Sequence, residues 1–217
     1  MPNHTKHSRH THSYPPPARH GHPGHTLLPM ARAAISTAVG QAHPASQTDE
    51  TAQWLHELGA CFVTLTQQGQ LRGCIGSLEA RRPLLTDVKA NAVAAALQDP
   101  RFKPLAATEL VHTEIEVSLL SPLQAMEFEN ESHALDQLQP GVHGVVLQFE
   151  RHRSTFLPQV WEQLPGAIEF MAQLKRKAGL PANFWAPGLR LQRYTVSQWK
   201  ESGLQPATAE VPPGEAP

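Results

Sequence analysis

Cysteine is scarce in this sequence, which has 2 Cys among 217 residues, too few for the disulfide framework of a small secreted protein. No apolar run approaches the roughly 20 residues that span a bilayer, and the N-terminus lacks the apolar core of a secretory signal. Neither sign of charge is in excess, since 18 Lys and Arg face 19 Asp and Glu. A dedicated nucleic-acid binder needs a basic surface. These absences predict a cytoplasmic protein that binds neither a membrane nor nucleic acid.

The common cofactor and metal motifs are also missing. The sequence contains no GxGxxG loop, no Walker loop, no HExxH and no CxxC, each of which places ligand groups at a spacing that its chemistry requires. We therefore expect no bound cofactor and no catalytic metal.

Both ends of the chain are poor in apolar residues and rich in proline. The first 25 residues contain seven of the 13 histidines, and residues 203–217 are rich in Pro and Ala. Such segments cannot bury a core, so we expect a disordered tail over residues 1–25 and a loose tail over 203–217. A metal-storage role for the histidines is the alternative to a solvated tail, because dense imidazoles bind Zn or Ni. The folded domain is predicted over residues 26–202.

Within that domain, helical and strand periodicities are mixed along the chain. Residues 112–122 alternate most clearly, with Ile115 and Val117 on one face and Glu114 and Glu116 on the other. Several neighbouring strands are joined by short turns, including a predicted hairpin over residues 59–78. The pattern predicts an α+β fold with a mainly antiparallel sheet flanked by helices.

The second strand of that hairpin contains Cys74 between Gly73 and Gly76. Alternation with period two predicts Arg72, Cys74 and Gly76 on one face, and a guanidinium beside a thiol stabilises the thiolate. Cys74 could then be a nucleophile, a redox centre or a metal ligand. The alternative is a small buried residue, which is what a free cysteine usually is. Glycine in a strand also indicates that a substrate, a partner or a helix approaches the backbone closely.

A disulfide between the two cysteines is a further possibility. If the hairpin turn is centred between Gln68 and Gly69, Cys61 lies opposite Gly76 and Cys74 lies opposite Val63. A one-residue change in loop length would bring the two sulfurs opposite each other, so the sequence does not exclude a redox pair. Because Cys61 alternates with apolar residues, we interpret it as a core residue and do not expect the pair.

Two further kinds of residue are candidates for proton transfer. His143 follows a Pro-Gly turn at the start of an apolar strand, and it could act as a base only if the fold brings it near Cys74. Glu114 and Glu116 share a strand face that is either exposed to solvent or lines a cleft. These patterns alone leave both alternatives open.

Several segments together resemble the AMMECR-type domain family. They are, in order, GQLRGCIGSLE, DPRF, EIEVSLLSP, PGVHGVVLQ, TFLPQVW and KRKAGL, and the LRGCIG hexapeptide over residues 71–76 is the hallmark. The resemblance covers about residues 27–200. It implies a larger and a smaller lobe with a cleft between them and the hexapeptide at their interface. It also implies association with a Memo-like protein and a radical SAM enzyme, without supplying a reaction.

We therefore predict a component of a three-protein modification system. Its catalytic candidates are Cys74 as thiolate nucleophile or acceptor, Arg72 as the residue that tunes it, and His143 and Glu116 for proton transfer. The alternative is a non-catalytic module that docks a partner through the hexapeptide. The candidate cleft or partner-binding residues are Gly73, Gly76, Glu114, Asp99 and Arg101.

Overall fold

The computed structural model describes residues 22–41 and 48–204, so most of the two predicted tails lies outside the described residues. The chain divides into two compact units. The first unit comprises the described residues up to Leu120 together with residues 197–204, and the second comprises residues 121–196. Within the described ranges, no helix has both the length and the apolar character needed to cross a membrane.

The first unit combines three α-helices with two sheets. Its elements are α1 Gly24–Ala38, α2 Gln53–His56, β1 Leu58–Gly59, β2 Cys61–Gln67, β3 Gln70–Gly76, β4 Arg82–Pro83, α3 Leu84–Leu97 and β5 Glu114–Leu120. A 3-10 helix, Ala107–His112, precedes β5. Strands β1 and β4 form a two-stranded sheet, and β2, β3 and β5 belong to a four-stranded sheet whose fourth strand comes from near the end of the chain.

Alternation in β5 and β2 divides this four-stranded sheet into an apolar and a polar face. Ile115 and Val117 are fully buried and lie opposite Leu65 and Val63 of β2. Helices α1 and α3 pack against these strands. The opposite face of β5 carries Glu114 and Glu116, as the period-two pattern predicts.

The predicted hairpin is present, but its register differs from the expected one. A bulge between Leu65 and Thr66 shifts the pairing by one residue, so that Cys74 lies opposite Thr64 and not opposite Val63. Because a bulge inserts an extra residue, strict alternation does not continue through Arg72. Leu71, the residue before Arg72, is 43% exposed.

The alanine-rich end of α3 allows this helix to lie very close to β3. A Cβ atom at Gly73 would lie 2.2 Å from the carbonyl oxygen of Ala95. Helix α1 contains Pro29. The helix begins at Gly24, so the proline is in the second turn, where it removes one main-chain hydrogen bond.

The second unit has its own sheet and its own core. Its elements are β6 Gln124–Ala125, α4 Glu131–Asp136, β7 Gly144–Phe149, β8 His152–Phe156, α5 Ala167–Lys177 and β9 Arg190–Tyr194. The strand order is β6-β9-β7-β8 and all the pairs are antiparallel. Trp161 stacks on Phe170 with 3.7 Å between ring centroids inside a core that also includes Val145, Leu147 and Leu191.

Residues 190–199 have the composition of one extended segment, but they belong to two strands. After β9 the chain passes Thr195 and continues as β10, Val196–Lys200, which is the fourth strand of the first unit's sheet, beside β5. The sequence gives no sign of a break at Thr195, because the segments on both sides of it are extended strands. With this correction, the predicted α+β fold with mainly antiparallel sheets is confirmed.

The two faces of β5 should respond differently to substitution. Ile115→Ala removes buried methyl groups and should lower the free energy of unfolding by about 2–4 kcal/mol. Glu116→Gln keeps the shape and one hydrogen-bonding oxygen, so it should cost less than about 1 kcal/mol. Urea unfolding of both variants checks this, and equal losses would contradict the assignment of a polar face.

Candidate functional site

Cys74 is a free, half-buried cysteine on β3, which is an edge strand of the four-stranded sheet. The main-chain N–H of Cys74 donates to Asp99 Oδ2 at 2.9 Å, and Arg101 Nη2 donates to the Cys74 carbonyl at 3.2 Å. Arg101 also binds Asp99 through Nε at 2.9 Å and Nη2 at 2.6 Å. The Asp99–Arg101 pair thus takes the place of a neighbouring strand and holds Cys74 in position.

Thr64 contacts the sulfur directly. Because both main-chain groups of Cys74 point away from β2, the Thr64–Cys74 pair is of the non-hydrogen-bonded type, in which side chains approach most closely. Thr64 Oγ1 donates to Cys74 Sγ at 3.3 Å. A hydroxyl donor at this position stabilises negative charge on the sulfur.

The cation that interacts with Cys74 is Arg101. Asp99 raises the pKa of Arg101 most strongly, and Cys74 raises it further. The same Arg101 lowers the pKa of Asp99 well below its ordinary value. Asp99 and Arg101, predicted as cleft or partner residues, are therefore in direct contact with the cysteine.

Arg72, predicted to tune Cys74, instead binds the 3-10 helix. Its Nε and Nη2 donate to the two carboxylate oxygens of Glu109 at 3.1 Å each. Gln67 also donates to Glu109, at 3.4 Å. The bulge explains the difference, because it interrupts the alternation that placed Arg72 beside the sulfur.

This contact makes Glu109 an unusually strong acid. The hydrogen bonds from Arg72 contribute most to lowering its pKa to about 2, and the N–H of Ala106 adds to the effect. A carboxylate whose pKa is depressed by folding stabilises the fold above its unfolded pKa and loses that contribution as the pH falls toward the folded value.

Glu109→Gln should therefore destabilise the protein in a pH-dependent manner. At pH 6 we expect a loss of about 1–2 kcal/mol, less than the full linkage value because the carboxylate is partly exposed to solvent. The difference from the wild type should shrink as the pH falls from about 4.5 toward 2. Denaturant unfolding at several pH values measures it, and a constant difference would contradict the assignment.

Cys61 has a different environment from Cys74. It is fully buried, and its thiol donates to Asp87 Oδ2 at 3.3 Å. Burial, and secondly the charge of Asp87, raise its pKa well above the ordinary value. Both cysteines are free, in agreement with the expectation that they do not form a disulfide.

Glu114 and Glu116 bind residues of the segment 198–202. Glu116 lies opposite Thr64, which separates it from Cys74 across the sheet. Its carboxylate accepts from Gln198 and binds Lys200 Nζ at 3.1 Å. The pKa of Glu114 is lowered, chiefly by hydrogen bonding from Ser202. Thr64 therefore lies beside the sulfur, and Glu116 lies beyond Thr64 on the next strand.

His143 belongs to the second unit and lies one residue before β7. Its Nδ1 accepts from the main-chain N–H of Gln139 at 3.1 Å. Burial, followed by the charge of Arg193, lowers its pKa. These contacts favour a neutral, positioned imidazole, and its role in proton transfer stays a prediction.

The two glycines of the hexapeptide allow close packing. Gly73 is buried beneath Ala95 of α3, and a Cβ at Gly76 would lie 2.3 Å from the ring of Phe62. The approach to the backbone that the sequence indicated is therefore made by a helix and by an aromatic side chain.

Sequence reasoning did not identify Thr64 and Glu109 as residues of this region. The correct hairpin register would have placed Thr64 opposite Cys74. The bulge that sets this register has no clear sequence pattern, so the register could not be predicted. Glu109 is 37 positions from Arg72, and an isolated acid in a short helix has no distinctive sequence signal.

The fold and site define an α+β protein with a positioned, half-exposed cysteine on a sheet edge. The chain belongs to the AMMECR1 family, whose model matches residues 28–199. This confirms the resemblance on which the family prediction rested.

Known proteins agree with this assignment. A protein of Methanothermobacter thermautotrophicus is 33% identical over 186 residues, which cover 83% of this chain and 95% of that protein. A protein of Thermococcus gammatolerans is 32% identical over 189 residues, covering 82% and 90%. The crystal structure of an uncharacterized protein from Pyrococcus horikoshii matches with a TM-score of 0.68 at 29% identity and covers 82% of this chain and 91% of that one. The comparisons establish family and fold.

Proposed function

We propose that this protein is a cytoplasmic component of a modification system that includes a Memo-like protein and a radical SAM enzyme, as in the AmmeMemoRadiSam system protein A subgroup. In this role Cys74 is the thiolate nucleophile or acceptor. The observation that supports it most is the contact of Cys74 Sγ with the Thr64 hydroxyl at 3.3 Å, on a residue whose main chain is held by Asp99 and Arg101. A cysteine kept only for packing needs neither feature.

Arg101 has the role that sequence analysis gave to Arg72. Its side chain is 53% exposed, so the charge next to the cysteine is accessible from solvent. Arg101 stays paired with the buried Asp99, and its exposed side attracts negatively charged substrate groups toward Cys74.

The test compares cells that contain the wild-type gene, a Cys74→Ser variant or no gene. We expect untargeted metabolite and peptide profiles of the Cys74→Ser cells to match those of cells without the gene. Peptide mapping of the wild-type protein should find an adduct on Cys74. Wild-type profiles in the Cys74→Ser cells would contradict thiol chemistry.

The second candidate function is a non-catalytic module that docks a partner through the hexapeptide surface. The observation that favours it is that Leu71, the first residue of the hexapeptide, is 43% exposed. This function should tolerate Cys74→Ser, because serine keeps the shape of the surface.

A further inference from the structure

Three histidines occupy six consecutive positions around the start of α1, namely His20, His22 and His25. His22 and His25 are exposed, and His20 lies outside the described residues. A neutral imidazole binds a metal ion through the lone pair of its unprotonated ring nitrogen, and it is a common ligand of zinc, nickel and copper. This group of three, the histidine cluster, is therefore a candidate metal site, and the proposed function uses none of it.

The rings of His22 and His25 lie close together. Their centroids are 5.6 Å apart, and the main-chain N–H of His25 donates to the His22 carbonyl at 2.9 Å, which closes a tight turn between the two residues. With zinc–nitrogen distances of 2.0–2.1 Å, two imidazole rings on one tetrahedral ion have centroids roughly 5 Å apart. Because both side chains are exposed, their rings can adjust to a common ion without displacing core atoms.

A third protein ligand has to come from residues before His22. Within the part of the chain that the structure describes, no three His, Cys, Asp or Glu residues are grouped so as to hold a metal ion. His20 is the nearest further histidine in the sequence. Two positions of chain span at most about 7 Å, so chain length alone keeps His20 within reach of an ion on the other two rings.

The composition of residues 1–25 indicates which metals fit. This segment contains no Cys, Asp or Glu, so it offers neither the thiolates that select Cu(I) nor the carboxylates that Mg²⁺ and Ca²⁺ prefer. Its charged side chains are the cations Lys6, Arg9 and Arg19, so attraction between opposite charges does not hold a metal ion there. Binding has to come from metal–imidazole bonds, which favour divalent ions such as Ni²⁺ and Zn²⁺.

Trp199 of β10 lies beside the same cluster. Its ring centroid is 5.8 Å from that of His22, and a Cβ at Gly24 would lie 2.8 Å from the Trp199 side chain. All three residues belong to the first unit. The indole therefore packs against the residues that begin α1, next to one of the candidate ligands.

We propose that His20, His22 and His25 bind a divalent transition-metal ion of the nickel and zinc class. One ring nitrogen of each histidine donates its lone pair to the ion, and water completes the coordination. The bound ion joins the chain before α1 to the first turn of that helix. The inference goes beyond the proposed function, because it requires neither Cys74 nor a protein partner.

The test titrates nickel chloride into the full chain, purified without a histidine tag, and follows tryptophan fluorescence and the heat of binding. Bound Ni²⁺ quenches a nearby indole, so the emission should fall to a plateau. Trp199→Phe should lose most of this quenching and still bind Ni²⁺ in calorimetry. An excess of Zn²⁺, which has a filled d shell and does not quench, should restore the wild-type emission. Absence of saturable quenching, or equal quenching in the Trp199→Phe protein, would overturn the proposal.

Matched variants separate this site from the other histidines. His22→Phe keeps an aromatic ring against Trp199 but has no ligand nitrogen, so it should raise the nickel concentration at half-maximal quenching at least tenfold. His25→Gln and His20→Gln should each raise it as well. His112→Gln, at an exposed histidine of the same unit, should leave the titration unchanged. An unaltered titration of the His22→Phe protein, or an equal loss in the His112→Gln protein, would contradict the assignment of these ligands.

Discussion

Iodoacetamide at about pH 7.5 should alkylate Cys74 at least ten times faster than Cys61. Cys74 is half-buried at a sheet edge, with a hydroxyl donor on its sulfur and the Arg101 guanidinium bound to its carbonyl. Cys61 is fully buried, and burial raises its pKa. Cys61 reacts only after local opening, whereas Cys74 is only half-buried in the folded state. Mass-spectrometric mapping after brief treatment measures both rates.

Variants of the residues around Cys74 test why it is alkylated faster than Cys61. Thr64→Val removes the hydroxyl at constant shape, and Arg101→Gln removes the charge, so each should slow alkylation of Cys74 several-fold. Arg72→Gln should have little effect, because Arg72 binds Glu109. Faster labelling of Cys61, or a larger effect of Arg72→Gln than of Arg101→Gln, would contradict this account of the site.

Gly73→Ala should lower the free energy of unfolding by about 3 kcal/mol or prevent folding. The added methyl group would lie 2.2 Å from the Ala95 carbonyl oxygen, so either β3 or α3 has to move. Both elements are main chain within a packed core, and neither can rotate away as a flexible side chain could. Thermal and urea unfolding of the purified variant measure the loss.

Gly203→Ala is the matched control. A Cβ at Gly203 has no neighbour within 4 Å, and this substitution should change stability by no more than about 0.5 kcal/mol. If Gly73→Ala proves equally mild, the hexapeptide glycine is not required by helix packing, and a close approach of a ligand to this strand would explain it better.

Much of the local structure could be predicted from the sequence. The alternation of Ile115 and Val117 with two glutamates identified β5 and its core face, since side chains on a strand point to opposite sides whatever surrounds it. The short turn at Gln68 and Gly69 identified the hairpin. The hexapeptide identified the family, and through it the cysteine that the site contains.

Tertiary structure decided which groups surround that cysteine. Periodicity assumes a regular strand, so it could not reveal the bulge that removes Arg72 from the sulfur and sets Thr64 opposite Cys74. Nor could it show that one extended segment changes sheets at Thr195. The partners of Cys74 and Arg72 lie 25 and 37 positions away in the sequence, and only the packing of distant segments brings such charges together.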